Sequence, residues 1–437
     1  MCALTVFFSF FSEYNQPMDE ETRRKLRGLG VVKGTRHLKP APPVARKRGA
    51  VSGERPAGQP PAPNPQPLEK LLPGLERMTT AVGDCFVLDK VYPLTHQHGA
   101  DGLADLLAFA PGELAAYVDD GRFADLDFRD FVFLDTETTG LAGAGTLAFM
   151  VGAGFFEGDA FITRQYFLRD HGDEPAMLTL LDELLAEKAG IVSFNGRSFD
   201  LPLLDGRYLM NRMLGRVLDL PHLDLLHPAR RLWRARLGSC ALGSLEQSLL
   251  DLHRTHADVP GYAIPGMYHD YLRTGDGRDM ARVFYHNEID LLSMVTLAAR
   301  LVALLVEPGA AHPLDVYCLG KWQAALGMNE QAEQNLRAAA QGELPLDWYH
   351  KALFELGWLL KRNGRRAEAV PFWQQIAATT FEDVTAHIEL AKFYEWHQVD
   401  LEKAVRWTEQ ALKLVGDSLI QDELQHRLAR LERKRSR

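Results

Sequence analysis

Cysteine is scarce in this chain: there are four in 437 residues, Cys2, Cys85, Cys240 and Cys318, and no two form a C-x-x-C pair. That excludes a zinc ribbon and a disulfide framework, and it fits a reducing cytosol. No run of eighteen apolar residues is present, and the stretch CALTVFFSFF near the start lacks the basic flank and small-residue cleavage site of a secretory signal. A cytoplasmic protein with no membrane partner is expected. Positive charge is not in excess either, the formal net charge being -9. A protein that coats nucleic acid through a generally basic surface is therefore excluded, because such binding rests on displaced counterions. An enzyme whose acidic residues hold cations, with basic residues clustered locally, is not.

What is present is a soluble globular composition, 46% hydrophobic and 24% charged, in a chain long enough for two or three units. From about Met18 to Pro67 the sequence is rich in Pro, Gly, Arg and Lys with few large apolar residues, so 1–78 is taken as a disordered basic segment. Between Phe131 and Val283 the pattern alternates. FVFLD is an apolar run ending in a carboxylate, LAFMVGAGFF and AFITRQYFL form a hairpin joined at EGD, PAMLTLLDELLAEK has helical spacing, IVSFNG is a strand, and LPLLDGRYLMNRML is again helical. A hairpin followed by alternating strands and helices predicts a mixed α/β sheet flanked by helices over 79–308.

After Pro313 the strand signals stop. Leu319-Gly320 precedes Ala332, Leu356-Gly357 precedes Ala369, and Leu390-Ala391 precedes Ala404, in steps of 34 to 37 residues. That period matches tetratricopeptide-type helical repeats, with Leu336, Trp373 and Trp407 filling the space beside the small residues; the repeats are expected over 312–437. Such an array offers a concave face to a protein partner.

Three signals carry chemistry. In FVFLDTETTG, Asp135 and Glu137 lie two apart on a strand and so project to one side, where two carboxylates repel unless cations lie between them. In IVSFNGRSFDLPLL a buried strand and a turn deliver Asp200 to the start of a helix, with Phe194 and Phe199 around Asn195. In ARVFYHNEIDLLSMV, His286 and Asp290 share a helical face, since four residues turn a helix by about 400°. Each alone has an ordinary structural explanation: a turn, a helix N-cap, a stabilising helix pair. Together they supply four carboxylates and one base, the set that two-metal phosphodiester cleavage needs.

On these residues the chain resembles the DEDD 3′-to-5′ exonuclease superfamily and, within it, the YprB-like ribonuclease-H-like domain. The similarity runs from about Ala81 to Val306 and includes YPLTHQHG, DLLHPARRLWRARLGSCALGSLEQ, DVPGYAIPGMYHDYLRTGD and HNEIDLLSM. The resemblance implies a ribonuclease-H-like fold and two divalent cations, Mg²⁺ or Mn²⁺. Asp135, Glu137 and Asp290 would be direct ligands, and Asp200 would reach the second ion directly or through water. It also implies 3′-to-5′ hydrolysis of a nucleic acid strand. Members carry His five residues before the last Asp or Tyr four before it, whereas this chain has Tyr285 and His286 at those spacings. His286 is favoured as the base, because it shares the face of Asp290 and an imidazole titrates near neutrality.

Thr136, Thr138, Asn195 and Phe199, beside the carboxylates, are taken as substrate contacts. So are Arg230, Arg231, Arg234 and Arg236 around Trp233, since arginine forks match phosphates and an indole stacks on a base. The alternative to an enzyme is a catalytically silent fold whose helical repeats hold a partner. DNA and RNA are not distinguished by the sequence.

Overall fold

The computed structural model describes residues 64–140, 145–379, 384–416 and 418–436. The basic Pro-rich stretch lies almost wholly outside them. The end of that segment is folded, however: α1 (Leu68–Leu71) and strand β1 (Leu75–Thr80) belong to the domain, which therefore begins ahead of the expected residue 79. Leu68 is fully buried, and the amide of Gly277 donates to the carbonyl of Gln66, tying this entry segment to the main chain some two hundred residues later.

The described residues contain one large mixed sheet of seven strands in the order β1-β2-β7-β6-β5-β8-β9. Beyond β1 its strands are β2 (Gly83–Pro93), β5 (Phe131–Thr138), β6 (Ala148–Glu157), β7 (Ala160–Phe167), β8 (Gly190–Ser193) and β9 (His222–Asp224). β3 (Gln97–His98) and β4 (Asp101–Gly102) form a separate small ribbon. β5, β8 and β9 run parallel, and the other neighbours are antiparallel. The hairpin read at EGD is β6–β7, with Glu157 opposite Ala160.

Helices cover both faces: α2 (Ala115–Val118), α3 (Glu174–Ala186), α4 (Asp200–Met210), α5 (Leu226–Leu237), α6 (Leu242–Leu249), α7 (Ile264–Thr274) and the long α8 (Arg278–Val306). Strand alternation sorts β5 between two cores. Val132 and Leu134 join the cluster that contains Leu181 and Leu185 of α3, while Phe131 and Phe133 join the one built on Leu291, Val295 and Val302 of α8. The same period continues beyond the apolar run, so Asp135 and Glu137 inherit the face that Phe131 and Phe133 occupy. α8 is long and apolar enough to cross a bilayer by composition, but 72% of its apolar window is buried inside the protein. An apolar stretch of helix surrounded by protein is a core helix.

The remainder is all helical: α9 (Pro313–Ala325), α10 (Asn329–Gln341), α11 (Leu346–Arg362), α12 (Arg366–Thr379), α13 (Thr385–Trp396), α14 (Leu401–Leu414) and α15 (Ser418–Arg435). The small residues noted at 34- to 37-residue steps lie where helices meet. A Cβ on Gly320 would come within 2.9 Å of Leu336, and one on Gly357 within 2.5 Å of Trp373, so each glycine lets its pair of helices approach. The first of these helices is not detached from the α/β region. Leu319 and Trp322 lie in the same core as Leu232 and Trp233, and Gln323 donates to the Tyr117 hydroxyl at 2.9 Å.

Candidate metal and nuclease site

β5 ends at the site with Asp135 and Glu137 on one face and Thr136 on the other. Thr136 donates its hydroxyl to Asp200, the first residue of α4. That aspartate is held by the turn after β8. Asn195 there adopts a left-handed backbone (φ 70°), which Asn tolerates better than branched residues. The turn is fixed by buried Asp224 at the end of β9, which accepts from the amides of Asn195 (2.8 Å), Arg197 (3.1 Å) and Leu226 (3.0 Å). Three amides on one carboxylate make the turn rigid, so Asp200 stands in a fixed place.

α8 contributes from the opposite side. Asn287 donates to Asp135 Oδ2 at 2.7 Å, and its own amide oxygen accepts from Gln165 of β7 at 2.9 Å. Gly152, opposite Asp135 on β6, makes room for this bridge: a Cβ there would lie 2.2 Å from Asn287 Oδ1. His286 Nε2 stands 4.0 Å from Glu137 Oε1 and 3.7 Å from Asp290 Oδ2, while its Nδ1 is 2.6 Å from Asp258 Oδ1. A carboxylate accepts only, so the Nδ1 proton belongs to the bond with Asp258 and Nε2 is the ring nitrogen that faces the acidic cluster. Tyr285 points elsewhere, its hydroxyl accepting from Thr255 at 3.1 Å.

The structure thus brings Asp135, Glu137, Asp200, His286 and Asp290 together. Burial pushes the Asp135 carboxyl well above the usual range, and the charges of Asp290 and Asp200 push it further. Glu137 is raised by burial and then by Asp135, Asp290 and Asp200. Burial raises Asp200 to about 6 against the bond from Thr136, and it raises Asp290 against the pull of Arg254. Carboxyls that resist ionisation because they are buried, Asp135 and Glu137 also because of their neighbours' charges, are a donor set that a hard divalent cation relieves, and all-oxygen ligands suit Mg²⁺ or Mn²⁺. Among the described residues no three His, Cys, Asp or Glu side chains are already gathered as an ion cage. The guanidinium of Arg254 is set beside the cluster, donating to Asp290 and to Glu246.

Other expected contacts are placed differently. The Thr138 hydroxyl donates to the carbonyl of Gly140 at 2.8 Å, making a turn, and Thr136 is given over to Asp200. Asn195 is exposed, and Phe199 is half-buried at the N-cap of α4. Of the arginine cluster on α5, Arg236 grips Asp315 of α9 through a two-pronged bond (2.9 and 2.7 Å), and Arg231 lies over Trp322 at 5.3 Å. These two bind the helical region, and Trp233 is core. Arg230 and Arg234 are exposed. Residues that the sequence reading passed over are Arg254, Glu246, Asp258, Asn287, Gln165 and Asp224. Asp224, Glu246, Asp258 and Asn287 do lie in the family-like stretches, at DLLH, SLEQ, DVPG and HNEID.

Residues 132–302 match the family model described as RNase_H superfamily, a span that includes every strand of the parallel half and all four carboxylates. Over 366 residues the chain is 30% identical to the uncharacterized protein YprB of Bacillus subtilis (strain 168), covering 80% of this chain and 86% of that protein. The chain belongs to the YprB family of the ribonuclease-H superfamily. Membership in that superfamily suggests nucleic acid as the substrate class and phosphodiester hydrolysis as the activity, and nucleases of this superfamily generally use divalent metals. Because the identity extends over four fifths of the chain, it reaches beyond the α/β domain into the helical region.

Proposed function

We propose that this protein is a two-metal 3′-to-5′ exonuclease that shortens single-stranded DNA or RNA. The observation that carries the reading is the convergence of Asp135, Glu137, Asp200 and Asp290 from β5, α4 and α8 beside His286, whose Nε2 faces the cluster. Asp135, Glu137 and Asp290 would hold Mg²⁺ or Mn²⁺, with Asp200 serving the second ion. Bound there, two such ions supply an activated water and neutralise the leaving oxygen.

The chain's own residues do the rest. His286 takes the proton of the attacking water at Nε2, and Asp258 holds the ring and stabilises its charged form through Nδ1, as a carboxylate does for a general base. Asn287, itself fixed by Gln165, keeps one oxygen of Asp135 turned into the cluster. Arg230 and Arg234, exposed on α5, remain candidates for the strand's backbone. The helical region, read as tetratricopeptide-like repeats, would hold a protein partner. Retention of all four carboxylates counts against a silent scaffold, whose decay should begin with one of them.

The test is a panel of single- and double-stranded DNA and RNA, labelled at either end and incubated with Mg²⁺, Mn²⁺ or chelator. Stepwise shortening from the 3′ end with metal supports the reading. Internal cuts would keep the nuclease and discard the polarity, and no cleavage of any substrate would discard both.

A further inference from the structure

Arg254 stands in the acidic cluster with an unequal division of its hydrogen bonds. Its Nε donates to Glu246 Oε2 at 2.7 Å and its Nη2 donates to Glu246 Oε1, so the fork grips that carboxylate with two parallel bonds. Asp290 receives a single bond, from Nη2. Nη1 is 3.2 Å from His286 Nδ1 and 3.6 Å from Asp258 Oδ1. The Glu246 side chain is only 1% exposed and is held from behind: Ser293 donates to it at 2.7 Å, and buried His98 stands 2.9 Å from that serine hydroxyl. Two-pronged bonding to an immobile carboxylate is the strong attachment, and the single bond to Asp290, on a side chain still 14% exposed, is the weak one.

We propose that Arg254 is the built-in counter-ion of Asp290: it neutralises the cluster when no divalent cation is held, and it yields the Asp290 oxygen to the cation that binds while staying anchored to Glu246. The inference rests on the metal reading above. Arg254 is a positioning residue whose effect passes through Asp290. It lets a protein with four crowded carboxylates fold before it meets metal, at the cost of weaker cation affinity, because a competitor occupies one ligand. Once displaced from Asp290, the guanidinium remains beside His286 with a free N–H edge.

The experiment is Mn²⁺ titration by calorimetry into chelator-stripped full-length protein, together with its melting temperature before and after saturation. The variants are Arg254→Met, which keeps the length of the stem, and Arg254→Lys, which keeps one ion pair with Glu246. Removal of the competitor should tighten Mn²⁺ binding, on the order of tenfold for Arg254→Met and less for Arg254→Lys. The metal-free variants should melt lower than wild type, and the rise on adding Mn²⁺ should be larger in them. If Arg254 only shapes Asp290 for the metal, both variants will bind Mn²⁺ more weakly than wild type, and unchanged affinity would equally overturn the proposal. Should Arg254→Met fail to fold, Arg254→Lys decides by the same sign. Absence of Mn²⁺ binding in wild type and variants alike would instead remove the metal reading, and this inference with it.

Discussion

Two sets of buried carboxylates in this molecule are treated in opposite ways. On α13 of the helical region, Glu389 is bonded by Lys361 and by Lys392 (2.9 Å), and Glu395 by Arg427 (2.7 Å), Arg430 (2.7 Å) and Lys434 (2.9 Å). Burial alone would raise both, yet the surrounding cations outweigh it and hold both below the usual range. Around the end of β5, Asp135, Glu137 and Asp290 feel one arginine, Arg254, while Asp200 has the Thr136 hydroxyl, and all four are raised. A carboxylate buried for architecture arrives with its own cations or, like Asp224, with backbone amides. One buried with too few of either costs stability, and its retention points to a ligand that supplies the missing charge. The contrast, more than any single distance, supports the proposal that the β5 cluster is the functional site.

The comparison breaks most sharply by substitution on its two sides. Asp135→Asn and Asp200→Asn should abolish metal-dependent cleavage while leaving the melting temperature of chelated protein equal or higher, because a repelling charge has gone. Glu395→Gln should do the reverse, lowering stability by about 1–3 kcal/mol, less than a fully buried pair because its partners are partly exposed, with cleavage of short oligonucleotides retained. Calorimetric melts beside single-turnover rates read both. An unfolded Asp135→Asn variant would place that residue among the architectural carboxylates.

Next in size is the base. His286→Ala should slow turnover by about 10² to 10⁴-fold, the usual worth of a positioned acid-base group, whereas Tyr285→Phe should change little, its hydroxyl being engaged with Thr255. A severe loss in the tyrosine variant beside a near-normal alanine variant would move the role to Tyr285.

A smaller effect comes from where the two regions are divided. The sequence places the boundary after about residue 311, yet Leu319 and Trp322 fill the core beneath α5, and Arg236 is committed to Asp315. Truncation after 311 should therefore lose stability by roughly 2–5 kcal/mol, the scale of a large side chain removed from a core. Truncation after Gly342 should leave a folded domain that still cuts short oligonucleotides. Equal melting temperatures for the two truncations would show that α9 is dispensable.

The smallest is Gly152→Ala, whose methyl must displace Asn287 from Asp135. A fall in rate with unchanged oligonucleotide affinity is expected, and an unaltered rate would show that Asn287 does not position the carboxylate.

What the sequence made legible follows from locality. The two-residue period of FVFLDTE, the strand-turn leading to Asp200 and the four-residue step from His286 to Asp290 each lie within a few positions, and each side chain is found where that period sends it. β1 went unread because its charged, largely exposed residues give an edge strand no apolar pattern and follow a Pro-rich tract, whereas β2 does carry a short apolar run, CFVL, with Cys85, Val87 and Leu88 buried in the core. Arg254 lies in a polar loop with no local signal, and only the fold sets it against Asp290, 36 positions later. The arginines of α5 show the converse. A basic run between two site segments looks like a phosphate track, but Asp315 and Trp322, invisible as neighbours in the sequence, claim two of its members.

The most direct measurement follows a 5′-labelled single strand under Mg²⁺ and under chelator, with wild type and Asp200→Asn in parallel at equal, verified folding. Metal-dependent laddering toward the 5′ end in wild type, absent from the variant, is the expected result. Cleavage that persists undiminished in Asp200→Asn, or that ignores the chelator, would contradict the claim that these uncompensated carboxylates exist to hold catalytic cations.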